Sequence, residues 1–267
     1  MAITSLAWLW RGVLVWNGWE MKWKLTLAFD GAGYLGWQSQ RTGRGVQDAV
    51  EGALGRLFAS GPGVISSSRT DAGVHAWGMV VHFEVPGDEC RMECGALRLA
   101  LNGLLPETVR VRAARRVGAG FHARFDAVGK EYRYRIWNDA VMHPLRRHEA
   151  WHVPRALDLT AMREAAGRLV GRRDFRAFTS KRDGVLEDAV RTLRRCEVGR
   201  RGREVTVVME GSGFLYKMCR GIVGTLVQVG EGKFMAEDVE RMLESGDRRV
   251  AGMNAPALGL VLWKVRY

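Results

Sequence analysis

The densest cluster of side chains that could do chemistry lies between Ser66 and His75. These ten residues include three serines, an arginine, an aspartate and a histidine, and a strand pattern begins at Met79. In a short polar segment, an aspartate commonly accepts hydrogen bonds from nearby backbone N–H groups in a turn. The alternative is a carboxylate held in a tight loop beside cations that keep it ionised. The residue types alone leave both interpretations of Asp71 open.

Hydrophobic periodicity around this cluster predicts both strands and helices. Apolar residues alternate with polar ones, as in half-buried strands, at 22–29, 79–85, 132–136, 205–209 and 258–267. Helical spacing predicts helices at 46–58, 91–101, 162–169, 214–229 and 239–243. Gly171 stands where a helix C-terminal cap belongs. The mixture, with several one-sided strands, favours an α+β fold with a mainly antiparallel central sheet flanked by helices.

The charge balance favours a polyanionic partner. The 267 residues contain 41 Lys and Arg against 29 Asp and Glu, a net charge of +12. Nucleic acid or an anionic membrane would attract such a surface, although solvated charge alone gives the same count. Ten cations lie between Arg112 and Arg155 against four acids, and a second run lies at 191–203. We expect both runs to line an RNA groove through phosphate contacts.

The cysteines and the N-terminus narrow the class of protein further. Four cysteines are too few for a disulfide framework, and Cys90 and Cys94 lack the two further ligands that a zinc site needs, so we predict no metal. Residues 1–20 hold four tryptophans without a regular period. They match neither a signal peptide nor an apolar span of about 20 residues. We therefore expect a loose N-terminal extension, with Met21 as an alternative start, and a cytoplasmic protein.

The string from Arg69 to Ala76, Arg-Thr-Asp-Ala-Gly-Val-His-Ala, resembles the active-site loop of the TruA family of tRNA pseudouridine synthases. Further blocks resemble that family in the same order, at 29–38, 46–47, 101–106, 121–125, 130–134, 174–175 and 218–226. Together they cover the chain from about Lys22 to Tyr267. Many blocks in order are far more specific than one short motif.

The resemblance implies roles for four residues. Asp71 matches the essential aspartate, and Tyr132 matches the tyrosine that stacks on the target uracil. Arg220 matches the basic residue that pairs with the aspartate, and Arg69 matches the arginine that helps to hold the flipped nucleotide. Ser68 stands where the family usually has glycine, and a serine there would be strained if the loop needs a positive φ.

The resemblance also implies the reaction and the architecture. The expected enzyme isomerises uridine to pseudouridine at positions 38, 39 and 40 of the tRNA anticodon stem-loop, without a cofactor or a metal. The expected fold has two related halves, residues 21–117 and 118–267, with an RNA-binding cleft between them. The family works as a homodimer in which each tRNA touches both subunits, so we expect a homodimer here.

Three alternatives stay open at this point. A non-catalytic RNA-binding protein would have a damaged active loop, but Arg69, Asp71, Tyr132 and Arg220 are all present. A metal-dependent nuclease would need clustered carboxylates or histidines. A synthase of the same family could act on other RNA uridines. Whether the aspartate attacks the sugar carbon or acts otherwise is also open.

Two histidines are expected to have structural rather than catalytic roles. His75 belongs to the active-site loop that the resemblance identifies, but we interpret it as structural rather than as a proton carrier. His82 lies on a predicted strand, where we expect polar surroundings.

Overall fold

The structure is a computed structural model that describes residues 20–87, 89, 92–180 and 188–267. The expected N-terminal extension therefore lies outside the described residues except for its last residue, Glu20, which begins the first strand. Cys90 also lies outside them, as does the predicted start of the second helix at residue 91.

The described residues form ten strands and five α-helices. The strands are β1 (Glu20–Phe29), β2 (Ile65–Ser66), β3 (His75–Pro86), β4 (Val109–Val117), β5 (Gly129–Trp137), β6 (Trp151–His152), β7 (Gly171–Asp174), β8 (Val190–Arg201), β9 (Glu204–Gly211) and β10 (Leu260–Arg266). The helices are α1 (Val46–Gly55), α2 (Cys94–Leu104), α3 (Leu159–Arg168), α4 (Met218–Gly230) and α5 (Asp238–Ser245). Among the described residues, no helix is long and apolar enough to cross a membrane.

All ten strands belong to one sheet, ordered β4-β1-β3-β10-β5-β9-β8-β7, with β2 paired to β3 and β6 to β5. The pairings are antiparallel except β3 with β10 and β5 with β6. The prediction of an α+β fold with a mainly antiparallel sheet is therefore confirmed. The last strand, β10, lies between β3 and β5, so Leu262 is paired with Ala76 on one side and with Tyr132 on the other. This register brings residues from distant parts of the chain to the middle of the sheet.

Alternation along the central strand separates two faces of the sheet. Tyr134 and Ile136 of β5 are fully buried, whereas Arg133 and Arg135 point to the opposite side. In β1, Leu25 and its apolar neighbours are buried in the same core as the apolar residues of α1 and α2. The helices therefore cover one face of the sheet.

Several elements differ from the sequence-based expectations. The strands β2, β4, β6, β7 and β8 are not predicted by periodicity. Helix α4 begins at Met218 instead of Phe214, because Lys217 before it has a left-handed backbone, with φ 58° and ψ 7°. The cap of α3 is Leu169, whereas Gly171, with φ 118°, already belongs to β7.

Candidate active site

The segment between β2 and β3, residues 67–74, carries Asp71 and is called the Asp71 loop here. It packs against a glycine-rich loop, residues 30–37, that follows β1. Gly36 has φ +102°, and a Cβ built there would lie 2.6 Å from the Thr70 carbonyl oxygen. The next N–H, that of Trp37, donates to the same oxygen at 3.1 Å. Only glycine fits such a close approach at this backbone angle, so the glycine-rich loop braces the Asp71 loop.

His75 fastens the end of the Asp71 loop. Its Nε2 donates to the Leu258 carbonyl oxygen at 3.0 Å, and its Nδ1 accepts from the Gly31 N–H at 3.1 Å in the neutral ring. The Asp30 carboxylate also lies 3.0 Å from Nδ1. These contacts join three segments of backbone, which agrees with the interpretation of this histidine as structural.

Asp71 contacts a cation from the far end of the chain. Its Oδ2 lies 3.3 Å from Nη1 of Arg220, which stands in the first turn of α4. The Arg220 Nε donates to the Ala255 carbonyl oxygen at 2.7 Å, so the guanidinium is held from behind. Both side chains are mostly buried, with exposures of 20% for Asp71 and 16% for Arg220. A charge-assisted contact of this kind fixes the orientation of the carboxylate.

Asp71 lines a cavity of about 660 Å³. Arg69 and Tyr132 line the same cavity, whereas Arg220 stands behind Asp71 and is not among the lining residues. The exposed Arg69 forms no ion pair with a described residue. The structure thus brings together all four residues that the sequence singles out, three on the wall of one cavity and the fourth directly behind it.

Tyr132 lies on β5, on the face that the helices cover. Its ring contacts Phe214 edge to face, with 5.1 Å between the centroids. Burial raises the pKa of the Tyr132 hydroxyl above its usual range, and the neighbouring Cys219 and Asp71 act in the same direction. The hydroxyl therefore stays protonated at neutral pH and can donate a hydrogen bond.

Ser68 does not strain the Asp71 loop through a positive φ. Among the described residues, Lys217 is the single non-glycine residue with a positive φ. The buried Ser68 Oγ has no hydrogen-bond partner within bonding geometry. It is nevertheless close enough to the Tyr132 hydroxyl to lower the pKa of that group, against the larger effect of burial.

Sequence reasoning missed three cations as site residues. Arg124, Lys130 and Lys217 also line the cavity. The spacing of two between Lys130 and Tyr132 was the available signal, because alternate residues of a strand share a face. Nothing comparable in the sequence marks the left-handed Lys217, although a strained backbone position is frequent at functional sites.

The two runs of cations do not contribute equally to this cavity. Arg124 and Lys130 belong to the first run and line it. The second run, residues 191–203, lies on β8 and the turn into β9, where Arg195 pairs with Glu197 at 2.9 Å. Arg69 and Lys217, which belong to neither run, line the cavity as well, and no residue of the second run does. The expectation that both runs line an RNA groove stays a prediction.

His82 has the polar surroundings that are expected from the sequence. It lies on β3, as predicted, but it is buried, with 3% of its surface exposed. Its Nδ1 accepts from the Ala123 N–H at 3.1 Å, and Phe121 packs edge to face against its ring. Burial lowers the pKa of His82, and the neighbouring His122 lowers it further. Lys22, Glu84 and Asp126 also lie close enough to affect its pKa, so polar and charged groups surround this buried ring, as expected.

The side chains that line the cavity suit a ligand with a flat ring and an attached anionic group. A carboxylate, an aromatic ring and several cations share the cavity, which is the donor set expected for an extruded nucleotide. Within the described part of the chain, no group of three or more His, Cys, Asp or Glu side chains could hold a metal ion.

Comparison with known proteins agrees with this chemistry. Residues 165–267 match the family model described as tRNA pseudouridine synthase. The tRNA pseudouridine synthase A of Exiguobacterium sibiricum is 42% identical over 246 residues, which cover 92% of this chain and 96% of the relative. The enzymes of the same name from Geobacillus kaustophilus and Geobacter sulfurreducens are each 44% identical; the matches cover 91% of this chain and 93% and 98% of these relatives.

These matches define the class as an isomerase that makes pseudouridine in tRNA. More narrowly, the chain belongs to the TruA family of tRNA pseudouridine synthases, because relatives well above 30% identity cover nearly all of it. The resemblance seen in the sequence blocks is therefore confirmed.

Proposed function

We propose that this enzyme converts uridine to pseudouridine at positions 38, 39 and 40 of the tRNA anticodon stem-loop, with Asp71 as the catalytic carboxylate. The observation that carries the proposal is the position of Asp71. It lines the cavity near Tyr132 and is oriented by Arg220 at 3.3 Å.

The reaction needs a carboxylate and no redox chemistry. The bond from uracil N1 to C1′ of the ribose breaks, the base turns, and C5 bonds to the same carbon. C5 loses its proton and N1 gains one, so atoms and electrons balance. A free aspartate is ionised at neutral pH. The Asp71 carboxylate can attack the sugar or remove a proton from it, and can leave again in the later step.

The target base has to leave its stem before it can react. Enzymes that modify a base inside a helix extrude the nucleotide into a pocket. In the proposed complex, the Tyr132 ring stacks on the uracil, and stacking of this kind contributes about 1–3 kcal/mol per base. Arg69 is exposed at the cavity. In the proposed complex its side chain holds the sugar–phosphate backbone of the flipped nucleotide.

We further propose that residues 21–117 and 118–267 form two related halves with the RNA-binding cleft between them. The enzyme works as a homodimer in the cytoplasm, where its tRNA is processed, and each tRNA touches both subunits. Family membership supports these statements, and the net charge of +12 suits a polyanionic substrate.

The proposal is tested by mapping pseudouridine, position by position, in unmodified tRNA incubated with wild type, Asp71→Ala and Asp139→Ala. Asp139 is a matched control, because it pairs with an arginine, Arg203 at 3.5 Å, but does not line the cavity. We expect modification at positions 38 to 40 with wild type and Asp139→Ala. Asp71→Ala should bind tRNA without reacting.

Two results would overturn parts of the proposal. If wild type binds tRNA but forms no pseudouridine, the chain is an RNA-binding protein without this activity. If pseudouridine forms only at other uridines, the catalytic assignment survives and the anticodon assignment fails.

A further inference from the structure

Lys130 is a cavity-lining cation that the proposed function leaves without a role. It stands two residues before Tyr132 on β5, so the two side chains share a face of the strand. Its Nζ donates to the Ser67 carbonyl oxygen at 2.7 Å. Ser67 begins the Asp71 loop, so this hydrogen bond ties β5 to the loop that carries the carboxylate.

Other cations of the same strand have carboxylate partners, and Lys130 has none among the described residues. Arg133 contacts Glu131 at 2.7 Å, and Arg135 contacts Glu149 at 3.0 Å. The Lys130 ammonium forms no ion pair with a described residue. Burial and, to a smaller extent, the charge of Arg124 together lower its pKa to about 8.

A cation kept in a partly buried place without an anion costs folding free energy. An ammonium group has three N–H donors, and the Ser67 carbonyl oxygen takes one of them. Two donors remain for a group that enters the cavity. Neighbouring cations such as Arg69 also have no carboxylate partner among the described residues. The positive charge of the cavity therefore favours an anionic group as the ligand.

We propose that Lys130 binds a phosphate of the flipped nucleotide with its free N–H donors, while its bond to Ser67 holds the Asp71 loop in register. The proposal rests on the proposed function, because it takes the extruded nucleotide as the ligand. It assigns Lys130 to substrate binding and to positioning, and assigns the chemistry to Asp71.

The charge on Lys130 should set an alkaline limit to activity. A lysine is cationic below its pKa and neutral above it, so phosphate binding is lost as the pH rises through about 8. The titratable or charged side chains that share the cavity with Lys130 are Arg69, Asp71, Arg124, Tyr132, Tyr216, Lys217 and Cys219. The uracil N3 proton also titrates at alkaline pH, but it affects every variant equally.

The test compares wild type, Lys130→Met, Lys130→Arg and a control, Lys264→Met, on unmodified tRNA. Lys264 is an exposed lysine of β10 outside this cavity. For each protein, kcat and KM are measured between pH 6.5 and 9.5, and tRNA affinity is measured at several salt concentrations.

We expect Lys130→Met to raise KM by about tenfold or more. The same variant should reduce the slope of log affinity against log salt by about one, the value for one lost phosphate contact. Lys130→Arg should keep the slope and lose the decline near pH 8, because a guanidinium stays charged. Lys264→Met should keep the wild-type KM and pH profile.

Two outcomes would overturn the inference. One is a wild-type KM in Lys130→Met. The other is a lower kcat with an unchanged salt slope, which reduces Lys130 to an anchor of the loop. Both outcomes differ from failure of the proposed function. In that case wild type and Lys264→Met would form no pseudouridine at all.

Discussion

The two faces of the central sheet differ in whether their cationic side chains have partners within the protein. On the face away from the helices, Trp77 and Trp263 stack with 5.8 Å between ring centroids. The guanidinium of Arg112 lies 4.0 Å from the Trp77 ring centroid, and that of Arg133 lies 4.0 Å from the Trp263 centroid. These four residues are called the tryptophan ladder here. Each guanidinium of the ladder has an aromatic partner within the protein.

The cavity face leaves its cations available. Arg69 and Lys130 line the cavity without a carboxylate partner in the described part of the chain, and Arg220 is the cation paired with Asp71. Cation–aromatic contacts stabilise a fold by about 0.5–1 kcal/mol at exposed sites. Cations without a partner stabilise nothing until an anion arrives. The comparison teaches that the count of cations on a surface is a weaker sign of a binding site than the absence of partners for them.

The first way to sharpen this comparison is Arg220→Met. Loss of the cation beside Asp71 should slow pseudouridine formation by about 10- to 100-fold, because a hydrogen bond to a charged group contributes about 1.5–3 kcal/mol. The single-turnover rate on unmodified tRNA measures the effect. Arg133→Met, in the tryptophan ladder, is the matched control and should keep the wild-type rate. Equal rates for Arg220→Met and wild type would break the comparison.

The second test addresses the support of the Asp71 loop. Gly36→Ala should lower the free energy of unfolding by about 1–3 kcal/mol, because alanine is strained at φ +102° and its Cβ meets the Thr70 carbonyl oxygen. For a chain of this size the melting temperature should fall by about 2–4 °C per kcal/mol. Gly33→Ala is the control, since nothing lies within 4 Å of a Cβ there. The same melting temperature for both variants would show that the contact between the loops is not needed.

The smallest effect is expected on the opposite face. Trp77→Ala removes one ring of the tryptophan ladder and should lower the free energy of unfolding by about 1 kcal/mol, with no change in kcat or in tRNA affinity. Denaturant unfolding and a tRNA titration check the two parts. Weaker tRNA binding by this variant would make the ladder a second RNA surface and remove the contrast between the two faces.

The sequence predicts the elements whose hydrophobic period is unbroken. Strands β1 and β9 and helices α1 and α3 are confirmed, with shifts of a few residues at their ends. Strand β8 is missed for a physical reason. A register shift between Leu193 and Arg195 places its buried residues three apart, at Leu193 and Cys196, which interrupts the period of two. Its arginines then resemble a solvated run of charge.

The site was predictable only in part. The residues Asp71 and Arg220 are 149 positions apart, and nothing in their local sequences shows that they meet. Their pairing followed from the family resemblance alone, and the structure shows it directly, with Asp71 Oδ2 3.3 Å from Nη1 of Arg220. Lys130 shows the reverse case: its spacing to Tyr132 was visible, but the lack of a carboxylate partner becomes apparent only in the folded chain.

The most direct measurement of the central claim is the single-turnover rate of Asp71→Asn on an anticodon stem-loop RNA, with its dissociation constant measured in parallel. The amide keeps the shape of the side chain and removes its charge. Loss of a catalytic nucleophile costs on the order of 10⁴-fold or more in rate. We expect a loss of that size with nearly unchanged RNA affinity, and a wild-type rate for Asp139→Asn. A rate for Asp71→Asn within tenfold of wild type would contradict the central claim.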